Sequence, residues 1–394
     1  MRFIFYSHDG AGLGHVRRNL AIAAEVIALR PSSAVLLACS ADEVDRLTLP
    51  PNVDVVKLPA ITKEGNGRYS ARRLGVGPED VFHLRAGIIA GAVWAFRPDV
   101  LVADKHPFGV RGELRPALDF VGAHGGRAVL GLRDVLDDPE AVVAEWGPLG
   151  LPDEIPHAYD RVLVYGQRSI MDPVKAYSLP PAVEGLTRFC GYVHTAGDRA
   201  RERQSRPDGK STVLATVGGG GDGDRLLADV IDACSTAPWH TVLVAGPQGD
   251  PGVRQALRHR AEAAGLEFRT FVRDLPDRMR DADALVSMGG YNTIAEAMAA
   301  GVPTVCVPRT TPRSEQLIRA AAFEARGLLR IVPNDAPDAS RMRAAIEEVL
   351  TWERPALQDR IRSTLRLDGA TTAAAAILEV ADKEDVGSEA ALAG

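Results

Sequence analysis

The chain has no run approaching the ~18 consecutive apolar residues that a membrane-spanning helix requires, so any membrane contact is expected to be peripheral. Cysteine is scarce. The four present, Cys39, Cys190, Cys234 and Cys306, are scattered without metal-ligand or redox spacing. That excludes a disulfide scaffold or a zinc ribbon, and reduced core thiols in a cytoplasmic compartment are the expectation. Positive charge is not in excess either. The net charge of −6 argues against a general nucleic-acid binder. Lysine is rare, with six beside forty arginines, a balance that reflects codon composition rather than function. A secretory leader is also missing from the reading: MRFIFYSHDGAG is an apolar strand running directly into a glycine turn.

What is present is an ordinary globular composition, 46% apolar and 25% charged, over 394 residues, enough for two cores. Short apolar strands alternate with helical stretches. Arg2–Ser7 is a strand followed by a Gly-rich turn and a helix through Leu29. Ala34–Ala38, Val53–Leu58, Val100–Ala103, Ala128–Leu132 and Arg161–Tyr165 are further strands, and Pro78–Phe96 is helical. Residues 61–77 have no period and read as a long loop. Residues 196–210 are polar without an apolar face and read as a linker between a first domain, 1–195, and a second, 211–354. The alternation restarts with Thr212–Val217, His240–Ala245, Phe268–Val272, Ala284–Ser287 and Thr304–Val307. The tail Pro355–Ala381 reads as helical and 382–394 as frayed. The pattern is that of two doubly wound parallel sheets joined by a linker, with ligands expected at the carboxyl ends of the strands, in the cleft between them.

The chemistry-bearing residues cluster at those strand ends. Gly10-Ala11-Gly12-Leu13-Gly14-His15 opens the first helix, where glycines admit a phosphate or sugar and the helix start offers free amides. A dinucleotide site is disfavoured, because no acid stands at the end of the second strand. His15, at a helix N-terminus whose dipole keeps imidazole neutral, suits a general base. Asp104 ends a neighbouring strand and reads equally as its orienting partner or as a helix cap. His8, His106, Arg133 and Asp134 occupy strand ends on the same side and are candidate acceptor contacts. In the second half, Gly218, Gly219, Gly220 and Gly221 follow a strand and read as a diphosphate-facing loop. The Asp222/Asp224 and Asp281/Asp283 pairs read as a cap and a core-strand lead-in, not as metal ligands. Gly289-Gly290 opens a helix that carries Glu296, and Glu315-Gln316 opens the next. Glu296 is either a solvated acid or an acceptor for ribose hydroxyls; Glu315 and Gln316 are either surface polars or partners for a hexose.

The stretch SMGGYNTIAEAMAAGVPTVCVP followed by Glu315-Gln316 resembles the nucleotide-sugar half of GT-B glycosyltransferases, and of these most resembles family 28, the group of the lipid II N-acetylglucosaminyltransferase. GAGLGH resembles that family's first glycine loop. The resemblance implies two Rossmann-like domains facing a cleft, with the terminal helices near 355–381 packing back on the first. It implies that Glu296 binds the ribose of a nucleoside-diphosphate sugar, expected to be UDP-linked. Gly289, Gly290, Tyr291, Asn292 and Thr293 would line the diphosphate, Val272 and Arg273 the base, and Glu315 and Gln316 the sugar. Gly12 and Gly14 would form the first loop and His15 the base. The Asp104 partner resembles a VxD strand end of plant-type natural-product glycosyltransferases. No metal or cofactor beyond the donor is expected. The acceptor is a small molecule or a lipid. The DKHPFG and GLRDV segments depart from the lipid II enzyme's pattern, so a different acceptor is expected. A non-hydrolysing UDP-sugar 2-epimerase and a non-catalytic nucleotide-sugar-binding protein share this architecture and remain alternatives.

Overall fold

β1 (Arg2–Tyr6) is buried on both faces: Phe3 and Phe5 pack into one apolar cluster, Ile4 and Tyr6 into another. Burial on both faces is the signature of a central strand in a parallel sheet. The computed structural model describes residues 1–8, 12–44, 47–63, 69–195, 201–218, 223–246, 248–334 and 338–383. β1 is flanked by β2 (Ala34–Cys39) and β6 (Val100–Asp104), both parallel to it. With β3 (Val53–Lys57), β7 (Arg127–Arg133), β8 (Arg161–Tyr165) and β9 (Thr187–Phe189) they form a seven-stranded parallel sheet in the order β3-β2-β1-β6-β7-β8-β9. A small antiparallel pair, β4 (Ile61–Lys63) and β5 (Tyr69–Ala71), stands apart from it. Each of these strands is only three residues long, too short to show a period.

The second sheet is six-stranded and parallel, ordered β12-β11-β10-β13-β14-β15. Its strands are β10 (Thr212–Thr216), β11 (His240–Val244), β12 (Glu267–Arg269), β13 (Ala284–Ser287), β14 (Thr304–Cys306) and β15 (Arg330–Ile331). β12 ends three residues earlier than expected, since Thr270, Phe271 and Val272 leave the sheet. The strand order reverses between β1 and β6 in the first sheet and between β10 and β13 in the second. These are the switch points, where neighbouring loops part and open a crevice.

One apolar cluster runs through both halves. It joins Phe3 and Phe5 to Leu214 and Leu285 by way of Tyr192, Tyr291 and Phe323. The tail forms two helices, of which only the second packs back on the first half. Arg354–Thr364 stays on the second half, where Arg354 donates to the carbonyls of Arg280, Ala282 and Ala300. Gly369–Ala381 packs against the first helix, Gly14–Leu29, with Thr371 donating to Glu25 at 2.9 Å. A Cβ on Gly369 would lie 2.5 Å from the Tyr192 backbone, so this crossover needs glycine. The described part of the linker is fastened rather than loose. Arg201 pairs with Asp281 at 2.5 Å, and Asp283 accepts from Thr212 N at 2.7 Å and pairs with Arg203. The second pair of aspartates therefore serves as a linker clamp, a role their spacing did not reveal.

Candidate functional site

The loops at both switch points face one cavity of about 390 Å³. Its first wall comes from the turn after β1 and the helix it opens: Gly12, Gly14, His15, Arg17 and Arg18, with Arg133 from the end of β7. Its second wall comes from Gly218 after β10, Phe271–Arg273 after β12, Gly290–Thr293 after β13, and Arg309, Glu315 and Gln316 after β14. Gly219, Gly220, Gly221 and Asp222 lie outside the described residues. A second depression, of about 600 Å³, sits at the opposite, amino ends of the first sheet's strands, near Arg127 and Asp160, and contains none of these residues.

His15 and Asp104 meet. The imidazole Nδ1 lies 3.1 Å from Asp104 Oδ2. Arg18, one helical turn after His15, adds what the sequence reading missed: its Nη2 is 2.8 and 2.5 Å from the two carboxylate oxygens of Asp104 and 2.9 Å from His15 Nδ1. Arg18 and Asp104 are both buried. The Arg18 guanidinium also lies 5.3 Å from the rings of Tyr165 and Tyr291. Burial favours protonating Asp104, but Arg18 and His15 outweigh it and hold the carboxyl at about 2. Burial drives His15 down to about 4; Asp104 pulls it back up while Arg18 and Arg133 oppose that. The imidazole is therefore neutral at neutral pH.

His8 and His106 do not line the cavity. His8 stacks edge-on between the other two rings, with centroids 4.9 Å from His15 and 4.4 Å from His106. Burial, then its two histidine neighbours, lowers the His8 pKa well below the usual imidazole value, so it acts as a neutral support beneath His15. Asp134, read from sequence as an acceptor contact, is instead one end of a buried interdomain ion pair. Arg319 Nη2 is 2.6 Å from its Oδ1, and both side chains are almost wholly sealed from solvent. A carboxylate so enclosed persists only with such a partner.

The helix Tyr291–Ala300 starts at Gly290 without a side-chain cap, so its first amides are free toward the cavity. Gly290, Tyr291, Asn292 and Thr293 line it, but Gly289 does not. Gly289 has φ +84°, and a Cβ there would sit 2.7 Å from Cys306 Sγ, so its glycine serves the turn. Glu315 Oε1 receives Arg309 Nη2 at 2.7 Å, while its Oε2 is buried without a partner and free to accept. Gln316 Oε1 takes the Arg309 amide at 3.0 Å. Glu296 is buried and absent from the cavity wall. Arg17 Nη2 lies 2.6 Å from its Oε1 and Thr195 donates to the same oxygen, leaving Oε2 without a partner. The halves close over the cavity: Asn292 Nδ2 donates to Gly14 O at 2.8 Å, and Gly12 N donates to Gln248 Oε1 at 3.1 Å.

Two parallel α/β sheets facing each other across their switch points are the GT-B architecture, and the second carries a Gly-capped helix and an acid–amide pair on the shared cavity. Residues 216–371 match the glycosyltransferase family 28 C-terminal domain, and the chain has the GT-B fold. The UDP-N-acetylglucosamine–N-acetylmuramyl-(pentapeptide) pyrophosphoryl-undecaprenol N-acetylglucosamine transferase of Limosilactobacillus fermentum is 26% identical over 136 residues, 33% of this chain and 36% of that protein. An uncharacterized glycosyltransferase of Methanosarcina acetivorans is 28% identical over 49% of this chain. The chain spans at most about half the length of these curated relatives, 36% and 50%. Among solved structures, the glycotransferase of kitacinnamycin superposes with a TM-score of 0.65 at 18% identity, over 96% of this chain and 98% of that one. That likeness establishes the fold.

Proposed function

We propose that the protein is an inverting glycosyltransferase that moves a sugar from a UDP-sugar held by the second half to a hydroxyl acceptor held by the first. The observation that carries this reading is the His15–Asp104 pair opening on the same cavity as the Gly290–Thr293 helix start and Glu315. Arg18 Nη2 has two hydrogens for three acceptors, and the charged oxygens of Asp104 take them. We assign the His15 proton to Nδ1, donating to Asp104, which leaves Nε2 unprotonated as the base. Nε2 takes the acceptor proton as the oxygen attacks the anomeric carbon from the face opposite the diphosphate, so configuration inverts. The helix-start amides and Gly218 receive the charge that develops on the departing diphosphate; no metal enters this scheme. Glu315 Oε2 and Gln316 hold sugar hydroxyls. Val272 and Arg273 face the base, and Glu296, buried behind Arg17 and Thr195, accepts from the ribose through its spare Oε2 once that cover moves aside.

Calorimetric titration with a panel of nucleoside diphosphates tests the donor reading. Selective UDP binding supports it, and no binding to any nucleotide overturns it. Incubation with UDP-sugar alone separates the alternatives: a 2-epimerase converts the sugar, whereas a transferase only releases UDP slowly to water. A non-catalytic binder retains the donor unchanged with every acceptor.

A further inference from the structure

Among the cations where the two halves meet, Arg17, Arg18, Arg133 and Arg309 line the cavity, while Lys105, Arg313 and Arg319 lie outside its wall. Arg17, Arg18, Arg309, Arg313 and Arg319 each have a carboxylate partner, at 2.6, 2.5, 2.7, 3.1 and 2.6 Å. Arg133 and Lys105 have none within ion-pairing distance among the described residues. Arg133 lines the cavity with His15, and its Nε is sealed from solvent without a hydrogen-bond partner. Burial, then Arg319 and Arg18, lowers its pKa to about 10, a large displacement for a guanidinium. Lys105 follows Asp104 in the adjacent strand, and its amide donates to Gly131 O at 2.8 Å, two residues before Arg133. Burial, then Arg133 and Arg313, lowers its pKa well below the usual lysine value.

The backbone adds an independent sign. Lys105 sits at φ +73°, in the left-handed region that disfavours side chains other than glycine. Such strain is retained where the side chain or loop shape is needed. Lys105 and Arg133 are half-buried beside each other, with only the more distant charges of Glu315, Asp134 and Glu145 to offset their repulsion, so an anion placed between them is stabilising. Both stand on the first sheet, at the ends of β6 and β7. The helix start that suits the donor diphosphate belongs to the second sheet.

We infer that the acceptor carries an anionic group, a carboxylate or a phosphate, received by Arg133 with Lys105 beside it, so that its nucleophilic hydroxyl is presented to His15. This rests on the reading of the first half as the acceptor side. The anion fixes the acceptor at one end while Nε2 of His15 takes the proton at the other.

The test is calorimetric titration of inorganic phosphate into the UDP-saturated protein, with Arg133→Met and Lys105→Met beside the parent. The expected result is saturable phosphate binding to the parent, at least tenfold weaker in Arg133→Met and weakened less in Lys105→Met, with UDP affinity unchanged in both. Thermal unfolding establishes that each variant is folded; if one is not, the other carries the test. Absence of phosphate binding to the UDP-loaded parent overturns the inference. So does an Arg133→Met variant that loses UDP affinity, because Arg133 then serves the donor's diphosphate. If the parent does not bind UDP, the donor reading fails on its own. Phosphate titrated into the unliganded protein then still decides whether Arg133 forms an anion site.

Discussion

Asp104→Asn exchanges one buried oxygen for an amide and tests two consequences at once. In the parent, Asp104 balances Arg18 at 2.8 and 2.5 Å and meets His15 Nδ1 at 3.1 Å. The neutral amide leaves the buried guanidinium without a counter-charge, and breaking a pair of this kind costs about 3–5 kcal/mol. The amide can also donate to Nδ1, which moves the imidazole proton to Nε2, where a base must be unprotonated. Loss of a general base lowers turnover by ~10²–10⁴. The assay is UDP release from UDP-sugar at neutral pH, beside chemical unfolding. Arg18→Met combined with Asp104→Asn removes both charges and recovers most of the stability, since replacing both partners of a buried pair is far milder than orphaning one. Turnover stays low in that double variant. The parent's activity stays level through neutral pH and falls only as pH approaches about 4, where His15 takes a proton. Parent-like turnover in a destabilised Asp104→Asn variant would refute the tautomer argument and leave Asp104 as a partner for Arg18 alone.

His15 also links stability to pH. Below 6.5 the unfolded chain binds a proton on this imidazole, whereas the folded chain does so only near 4, so stability is lost as pH falls through that window, by up to about 3 kcal/mol. His15→Gln flattens that slope in denaturation curves; an unchanged slope contradicts the depressed pKa. Gly289→Ala should destabilise the fold by about 1–3 kcal/mol through its left-handed φ and the Cys306 contact, whereas Gly290→Ala, with open space and negative φ, keeps parent stability. Equal melting temperatures for the two would remove the steric account. Glu296→Ala should weaken UDP binding by about 1.5–3 kcal/mol, read by calorimetry, and unchanged affinity removes the ribose assignment. Arg319→Met should cost about 3–5 kcal/mol by stranding Asp134, with faster hydrogen exchange where the halves meet; parent-like exchange and stability would mean that this pair does not hold them together.

Much of this protein was legible from its order of residues. Strand and helix alternate at the scale of βα units, and the apolar periods are long enough to place nearly every strand of both sheets. Glycines at 12, 14, 218 and 290 mark turns that line the shared cavity, because turn chemistry is local. The same locality explains what was misread. Gly289 lies inside the motif but answers to Cys306, a contact from the neighbouring strand. The paired strands β4 and β5 were too short to show a period.

The partners of the charged groups could not be read from the chain. The His15-Val16-Arg17-Arg18 run puts Arg18 one turn from His15, but nothing local tells it from the other arginines. Its role depends on Asp104, 86 residues away, arriving on the adjacent strand. Arg17 reaches Glu296 across 279 residues, and Arg319 reaches Asp134 across 185. The sequence by itself determined the two α/β halves and the strand ends at which the shared cavity lies, because hydrophobic period and turn residues act over a few positions. Only the tertiary structure decided which acid faces which arginine, and which cations were left without one. Pairing of buried charges depends on distances of a few ångströms between segments far apart in the chain, and those distances exist only once both sheets have closed on each other.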